Sequence, residues 1–317
     1  MKALFFAKSL LLLFILFLLT FAGHMLLPKN AFLGSITQKH DHLEKLPSPR
    51  IVLVGGSNLA FGVDSPMLER FTGLRVANMG IIVRLGLRFN LNEVKKTVGA
   101  GDLVLIMPEY RNFFRNYMEG TETLAEMAFI YPPSLTWLSS FDQYKNLAKG
   151  FIKVFKRKTG SWLLTFLQPQ DKFQRSRARI YRRDGFNIQG DVITHLRYGR
   201  SKILGSNFNL HGVPYNPRAA RAINRFAAAV QKRGATVLFT YPILARSTFD
   251  RNREWLEKLH RTLAKTLKIP ILSTPGAETF PPDDHFFDTI YHLGRKGRTL
   301  RTKTLISRLT PHLPRRP

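Results

Sequence analysis

The chain has 317 residues, enough to bury the core of one large domain or two small ones. Hydrophobic residues make up 44% of it and cysteine is absent, which excludes disulfides and thiolate metal sites. The formal net charge of +28 leaves three classes of partner: nucleic acid, an anionic membrane surface or an anionic polymer.

An apolar segment near the N-terminus decides among these partners. Lys2 and Lys8 lead into a run rich in leucine and phenylalanine at residues 9–23, and apolar residues resume after His24. The run approaches the ~20 residues of a membrane-spanning helix, and the flanking lysines favour a cytoplasmic N-terminus. We expect residues 1–28 to be an uncleaved signal anchor, with a cleaved signal peptide or a buried soluble helix as alternatives.

Such an anchor predicts a single-pass protein of the cytoplasmic (inner) membrane whose main domain is extracytoplasmic, or periplasmic. Nucleic acid is then not an expected partner. The expected partners are the membrane itself and an anionic glycan or phospholipid head group. Polar residues 29–48, which include Pro47, are expected to form a tether to a domain at 49–317.

Apolar runs alternate with helical patterns along that domain. Strands are expected at 51–54, 74–80, 103–107, 236–240 and 269–272, and helices at 84–98, 217–233, 251–267 and 295–309. Strands separated by helices imply right-handed crossovers, so the fold class is α/β with a doubly wound, mainly parallel five-stranded sheet.

Residues 111–215 interrupt the alternation and are too many for a loop, so they are expected to fold as a largely helical insertion. Its second half mixes lysines and arginines with leucine, phenylalanine and Trp162. This composition is typical of a segment lying on a membrane, and a solvated basic face over ordinary core is the alternative.

The chemistry is concentrated where the strands end. Ile51-Val52-Leu53-Val54 is followed by two glycines, which permit a tight turn, and then by Ser57, whose hydroxyl would emerge at the carboxyl end of the strand. Asp288 and His292 come just before the last helix. Together they suggest a serine nucleophile with a histidine base and an orienting acid.

Further polar residues follow the second and third strands. Asn78 and Gly80 follow the second strand, and Glu109 and Tyr110 follow the third. Because ligands bind at the carboxyl ends of parallel strands, all four are expected in the oxyanion or substrate region.

This order of blocks resembles the SGNH/GDSL hydrolase superfamily over roughly residues 50–110 and 216–310. The likeness is to membrane-anchored cell-envelope members, including the alginate O-acetyltransferase type and proteins of teichoic-acid D-alanylation. The resemblance implies a flavodoxin-like sheet and an acyl-serine mechanism. Ser57 would be the nucleophile, His292 the base and Asp288 the orienting acid, and the N–H groups of Ser57 and Gly80 would stabilise the oxyanion.

Three departures from the family pattern leave parts of the site open. The first block contains Gly-Gly-Ser-Asn in place of Gly-Asp-Ser, and the third contains Pro-Glu-Tyr-Arg-Asn in place of Gly-x-Asn-Asp. The side-chain oxyanion donor is therefore unassigned, with Asn58 and Asn112 as candidates. The last block is one residue longer than Asp-x-x-His, so Asp284 or Asp283 is an alternative orienting acid.

Two other motifs carry weaker signals. Residues 186–191, with His195, would line the mouth of the site or form a plain turn. Residues 281–285 combine two aspartates with a histidine but lack a partner motif, so neither a metal nor a cofactor is expected.

The sequence thus predicts a membrane-anchored extracytoplasmic serine acyltransferase or esterase. Its substrates would be acyl groups, acetyl above all, on a cell-envelope glycan or lipid, and a membrane-bound protein would be a candidate acyl donor. The alternative is a non-catalytic SGNH-like envelope protein that binds an anionic polymer or assembles a polysaccharide-modification complex.

Overall fold

The structure is a computed structural model, which describes residues 6, 8–12, 14–15, 31–164, 179–198, 208–280 and 285–313. Its strands are β1 Arg50–Gly55, β2 Arg75–Asn78, β3 Leu103–Met107, β4 Thr236–Phe239, β5 Leu244–Ala245 and β6 Thr279–Phe280. Its helices are α1 Ser35–Lys45, α2 Ser57–Gly62, α3 Ser65–Thr72, α4 Leu87–Lys95, α5 Thr123–Ile130, α6 Phe141–Leu164, α7 Arg218–Gln231, α8 Arg246–Thr266 and α9 Arg295–Leu309.

The centre of the fold is a parallel sheet of four strands in the order β2-β1-β3-β4. Side chains of β1 alternate between two apolar layers, because successive residues of a strand point to opposite faces. Val52 and Val54 face a core that includes residues of α4 and α7. Ile51 and Leu53 face a second core, to which α3 and α9 contribute. The expected α/β class with a parallel sheet is therefore confirmed.

The sheet has four strands and not the five that were expected. At the position of the fifth strand, Ile271 makes only an isolated parallel bridge to Phe239, the last residue of β4. Pro270 lies in the middle of the expected strand and has no N–H to donate to a ladder. Two hydrogen bonds remain there, from Phe239 N to Pro270 O (2.9 Å) and from Leu272 N to Phe239 O (2.9 Å). Strands β5 and β6, which were not expected, pair in a separate two-stranded parallel sheet.

The segment that was expected to be a tether contains helix α1. Ile36 and Leu43, one on each side of its middle, are fully buried in two different apolar clusters. Most of the expected anchor at residues 1–28 lies outside the described residues. Among the residues that are described, we find no helix with both the length and the apolar character needed to cross a membrane.

The order of the strands fixes where a ligand can bind. The chain moves from β1 to β2 on one side and to β3 on the other, so the direction of winding reverses between β1 and β3. In open α/β sheets such a switch point leaves a crevice at the carboxyl ends of the two strands. Ser57 and Glu109, two of the residues selected from the sequence, each come two positions after the last residue of β1 and β3.

Candidate active site

Ser57 opens helix α2 directly after the glycine pair that ends β1. A side chain at Gly55 would collide with the carbonyl oxygen of Met107 on the neighbouring strand. A Cβ atom at Gly56 would lie 2.8 Å from Oε1 of Glu109. The two glycines are therefore required by the close approach of β3 and of the carboxyl group that follows it. The turn presents a serine that keeps 9% of its exposure.

His292 reaches Ser57 from the opposite end of the chain. Its Nε2 lies 2.9 Å from Ser57 Oγ, and its Nδ1 lies 2.8 Å from Oδ1 of Asp288. Asp288 and His292 lie in a loop, not on a helical turn, and an antiparallel bridge between Phe286 and Leu293 closes this loop. The structure thus brings the three residues into the linear contact order that serine nucleophiles use.

Two aromatic residues hold the histidine in place, and the sequence analysis selected neither. Phe61 of α2 stacks on the imidazole, with ring centroids 4.0 Å apart and planes 5° from parallel. Tyr181, from the insertion, donates its O–H to Oδ2 of Asp288 at 2.5 Å, and its oxygen lies 3.2 Å from His292 Nδ1. Both carboxylate oxygens of Asp288 are therefore occupied. Phe61 lies four residues after Ser57 and so one helical turn away, which is a local signal; Tyr181 has none.

Glu109 lies on the other side of the nucleophile. Its Oε1 lies 3.0 Å from Ser57 Oγ, within hydrogen-bond distance, and accepts a longer hydrogen bond from the Asn58 N–H at 3.4 Å. Burial raises the pKa of this carboxyl above its usual range, and this shift is opposed by His292, by the two hydrogen bonds and by Arg111. A carboxyl group with a raised pKa in direct contact with a nucleophile is a common mark of a functional site.

Two of the residues expected to stabilise the oxyanion, Gly80 and Asn58, are engaged elsewhere in the structure. The Gly80 N–H donates to Oδ1 of Asn78 at 3.1 Å. The Asn58 amide donates to Met107 O at 3.1 Å and accepts from the Gly56 N–H at 3.2 Å, which braces the turn before Ser57.

Asn78 and Gly80 nonetheless have clear structural roles. Asn78 donates to Leu59 O at 3.0 Å and to Asp191 Oδ1 at 2.8 Å, so it ties β2 to α2 and to the insertion. A Cβ at Gly80 would lie 2.5 Å from Gly56 O, so only glycine allows this segment to approach the nucleophile turn.

The remaining candidates lie apart from this contact chain. Tyr110 is fully buried in the core and stacks against Tyr241, at a centroid distance of 5.9 Å. Asn112 is also fully buried, and its side-chain nitrogen and oxygen have no hydrogen-bond partner among the described residues. Asp283 and Asp284, the alternative acids, lie outside the described residues.

The motif at 186–191 contributes a second polar cluster. Asp191 is fully buried and accepts hydrogen bonds from Ser65, Asn78 and Arg298. His195 donates its Nε2–H to Leu293 O at 3.0 Å, and burial lowers its pKa to about 3, so its ring is neutral. Within the ranges that the structure covers, no three histidine or acidic side chains form a group that could hold a metal ion.

No protein-family model matches this chain, and a search of curated proteins finds no match either. The function must therefore be inferred from the site itself. The site contains a hydroxyl next to an imidazole that can act as a base, an orienting carboxylate and a second buried carboxyl group. This set of groups is suited to acyl transfer.

Proposed function

We propose that the protein is an SGNH-type serine acyltransferase or esterase that acts through an acyl-serine intermediate. The observation that carries this proposal is the contact chain from Ser57 Oγ to His292 Nε2 and from His292 Nδ1 to Asp288. Its first and second members are 235 residues apart, so the contact is a product of the fold and not of local sequence. It also lies at the switch point of the sheet, where ligands bind in this architecture.

In this mechanism Ser57 Oγ attacks the acyl carbon while His292 Nε2 takes the hydroxyl proton. The carbonyl π electrons move to oxygen and form an oxyanion. When the carbonyl re-forms, the bond to the leaving alcohol breaks, and His292 returns its proton to that alcohol. Asp288 holds the ring with Nδ1–H directed at the carboxylate, which leaves Nε2 free to accept. A second hydroxyl, from a sugar or from water, then repeats the sequence on the acyl-serine.

We further propose that the substrates are acyl groups, acetyl above all, of a cell-envelope glycan or lipid, and that the domain is held outside the cytoplasmic membrane by residues 1–28. The apolar N-terminal run supports this location, and the net charge of +28 favours an anionic glycan or lipid as partner. A membrane-bound acyl-donor protein is a candidate partner. A C-terminal reporter that is active only in the cytoplasm should be silent, and an active reporter would overturn the location.

Labelling with a fluorophosphonate tests the chemistry. The wild type should be labelled, whereas Ser57→Ala should not be labelled and His292→Ala should lose almost all labelling. Ser247→Ala, which changes an exposed serine of α8, is the matched control and should label as the wild type does. Full labelling of Ser57→Ala would end the proposal.

One observation favours a second candidate, a non-catalytic protein that binds an anionic polymer. The N–H of Gly80 and the amide of Asn58 already have partners, so neither is available to an oxyanion in this structure. An unlabelled wild type that binds an anionic polysaccharide, more weakly at high salt, would support this alternative.

A further inference from the structure

The Ser57 hydroxyl lies between two groups that compete for its single proton. His292 Nε2 is 2.9 Å from Oγ on one side, and Glu109 Oε1 is 3.0 Å from Oγ on the other. A serine hydroxyl donates one hydrogen bond, so it cannot donate to both groups. The protonation state of Glu109 therefore decides which group receives the Ser57 proton.

An ionised Glu109 would leave the base unable to act. A carboxylate is the stronger acceptor, so the Ser57 O–H would turn toward Oε1. The contact between Oγ and Nε2 would then require a proton on Nε2. Since Nδ1 faces Asp288 Oδ1 at 2.8 Å, it too must carry a proton. His292 would be an imidazolium ion, which has no lone pair to accept the proton of Ser57.

A neutral Glu109 gives every proton a single acceptor. The carboxylic acid donates to Ser57 Oγ, the Ser57 O–H donates to His292 Nε2, and Nδ1–H donates to Asp288. Tyr181 keeps its own hydrogen bond to the second oxygen of Asp288. This arrangement is also the one in which the base is ready to act.

The surroundings of Glu109 favour the neutral form. Glu109 is 4% exposed, and burial raises the pKa of its carboxyl group. The charged or titratable groups around it are His292, Arg111, Tyr117 and Tyr291. His292 and Arg111 lower the pKa of Glu109, but burial is the larger effect. A neutral acid can also remain a hydrogen-bond donor at neutral pH when its site is apolar.

We propose that Glu109 works as a neutral carboxylic acid whose O–H donates to Ser57 Oγ at rest and to the oxyanion during acyl transfer. The inference rests on the proposed function. When Oγ bonds to the acyl carbon, the oxyanion is two bonds from Oγ, within reach of the same O–H. Glu109 keeps its proton throughout, while the proton of Ser57 moves to His292. The acid thus supplies a side-chain donor where Gly80 and Asn58 do not.

Fluorophosphonate labelling rates across pH separate the two protonation states. In the wild type the rate should fall about tenfold per pH unit above the pKa of Glu109, because the ionised form is inactive. Glu109→Gln keeps a neutral N–H donor at the same position, so it should label within a few-fold of the wild type and lose that alkaline fall. Glu109→Ala removes the donor and should label about 10²- to 10³-fold more slowly than the wild type at pH values below that pKa, and it too should lack the alkaline fall.

Infrared difference spectra report the proton without any requirement for activity. Wild type minus Glu109→Gln should show the carbonyl band of a protonated carboxylic acid at pH 7, and this band should vanish at alkaline pH. Glu69→Gln is the matched control, because Glu69 accepts from Val76 N and Gln189 away from Ser57, and it should leave the band in place.

Two results would overturn the proposal. One is the absence of the band at pH 7. The other is a Glu109→Gln variant that folds with the wild-type melting temperature yet labels as slowly as Glu109→Ala. A wild type that is not labelled at any pH overturns the proposed function, and with it the donation to an oxyanion. The infrared band still decides whether Glu109 carries its proton.

Discussion

Two buried polar clusters lie near the carboxyl ends of the central strands, and they differ in how their protons are arranged. The Ser57 network comprises Ser57, Glu109, Tyr181, Asp288 and His292. The Asp191 network comprises Ser65, Asn78, Asp191 and Arg298, together with Asn187, whose Oδ1 accepts from the Asp191 N–H at 2.7 Å. Each joins the sheet domain to the insertion, the first through Tyr181 and the second through Asp191. Both are largely buried, so burial alone does not separate a reactive cluster from a structural one.

The Asp191 network is saturated. Its carboxylate accepts from the Ser65 N–H at 2.8 Å, the Ser65 hydroxyl at 2.6 Å, Asn78 at 2.8 Å and Arg298 at 2.7 Å. A carboxylate has about four lone-pair sites, and each of these partners only donates to it. No proton has an alternative place to go, which is the property of a fixed structural joint.

In the Ser57 network, by contrast, one hydroxyl faces two groups that can both accept its proton. The same atoms can therefore adopt more than one proton arrangement at nearly the same geometry. Proton movement of this kind is what general acid–base catalysis requires. Substitutions in the two networks should accordingly affect different measurements, activity in the first and stability in the second.

The largest expected effect comes from Asp288→Asn. Aspartate offers acceptors to both Tyr181 O–H and His292 Nδ1–H, whereas asparagine offers one oxygen and turns an N–H toward the other donor. The imidazole is then held in the wrong tautomer, and turnover of an acetyl ester should fall about 10⁴-fold. The melting temperature should change little. Asp184→Asn, at an exposed aspartate paired with Arg182, is the control and should keep full activity. A variant that retains a tenth of the wild-type rate would remove Asp288 from the mechanism.

Next in size is the effect of Asp191→Ala on stability. Arg298 is 3% exposed and would lose its nearest carboxylate partner, with Asp64 remaining at 4.0 Å, and breaking such a buried ion pair costs about 3–5 kcal/mol. Urea unfolding should show this loss, while the folded fraction should still label with fluorophosphonate. Asp250→Ala, at an exposed ion pair with Arg253, should leave the free energy of unfolding nearly unchanged. A loss under about 1 kcal/mol would contradict the structural role of this cluster.

Tyr181→Phe tests whether the insertion contributes to the reactive network. The ring would stay packed against Phe32 and Phe61, and the hydroxyl's contacts with Asp288 and with His292 Nδ1 would be lost. A bond to a charged group contributes about 1.5–3 kcal/mol, so kcat should fall about ten- to a hundredfold. KM should not change, because Tyr181 acts on the base through Asp288. Tyr198→Phe, at an exposed tyrosine, provides the control. An unchanged kcat would make Tyr181 a packing residue only.

Much of the Ser57 network could be predicted from the sequence. Ser57, Asp288 and His292 were identified because each follows an expected strand or precedes the last helix, and the carboxyl ends of parallel strands converge. The position of Glu109 after β3 was also apparent, but its contact with Ser57 depends on the register of β1 against β3. Tyr181 could not be found, since its place follows from how the insertion folds against α2. The sequence predicted oxyanion roles for Asn58 and Gly80. Their structural roles at the turn before Ser57 could not be predicted, because these roles depend on contacts between residues that are distant in the sequence.

The fold shows the same division between local patterns and tertiary contacts. Strong apolar runs marked β1, β3 and β4 correctly. The expected strand at 269–272 is only an isolated bridge, because Pro270 cannot donate to a ladder. Pro270 is visible in the sequence, but the apolar pattern around it was given more weight. Helix α1 was missed because its buried residues Ile36 and Leu43 lie seven apart, with polar residues at most positions between them. Such sparse patterns become helical through packing more than through propensity.

The smallest expected effect is a pH dependence at the edge of the Asp191 network. Lys39 is buried, and its Nζ donates to Asn78 O at 2.6 Å and to Gly190 O at 2.5 Å. Burial lowers the pKa of Lys39 to about 7, although Asp191 and Glu93 oppose this shift. A neutral amine keeps two protons, so both hydrogen bonds survive its deprotonation.

The sign of the effect follows from proton counting. Below pH ~7 both the folded and the unfolded chain carry the Lys39 proton, so this residue adds no pH dependence. From pH ~7 to ~10 the unfolded state keeps the proton that the folded state has lost. The free energy of unfolding should therefore rise with pH, by up to about 1.4 kcal/mol per unit from this residue. Urea titrations of wild type and Lys39→Met at pH 7, 8 and 9 give the contribution of Lys39 to the slope of the unfolding free energy against pH. Other titrating groups cancel in the difference between the two proteins, including Glu109, whose raised pKa makes stability fall as pH rises. Parallel slopes in the two proteins would show that Lys39 stays charged when folded. In that case no proton at the edge of the Asp191 network would be lost between pH 7 and 9, as expected for a structural joint.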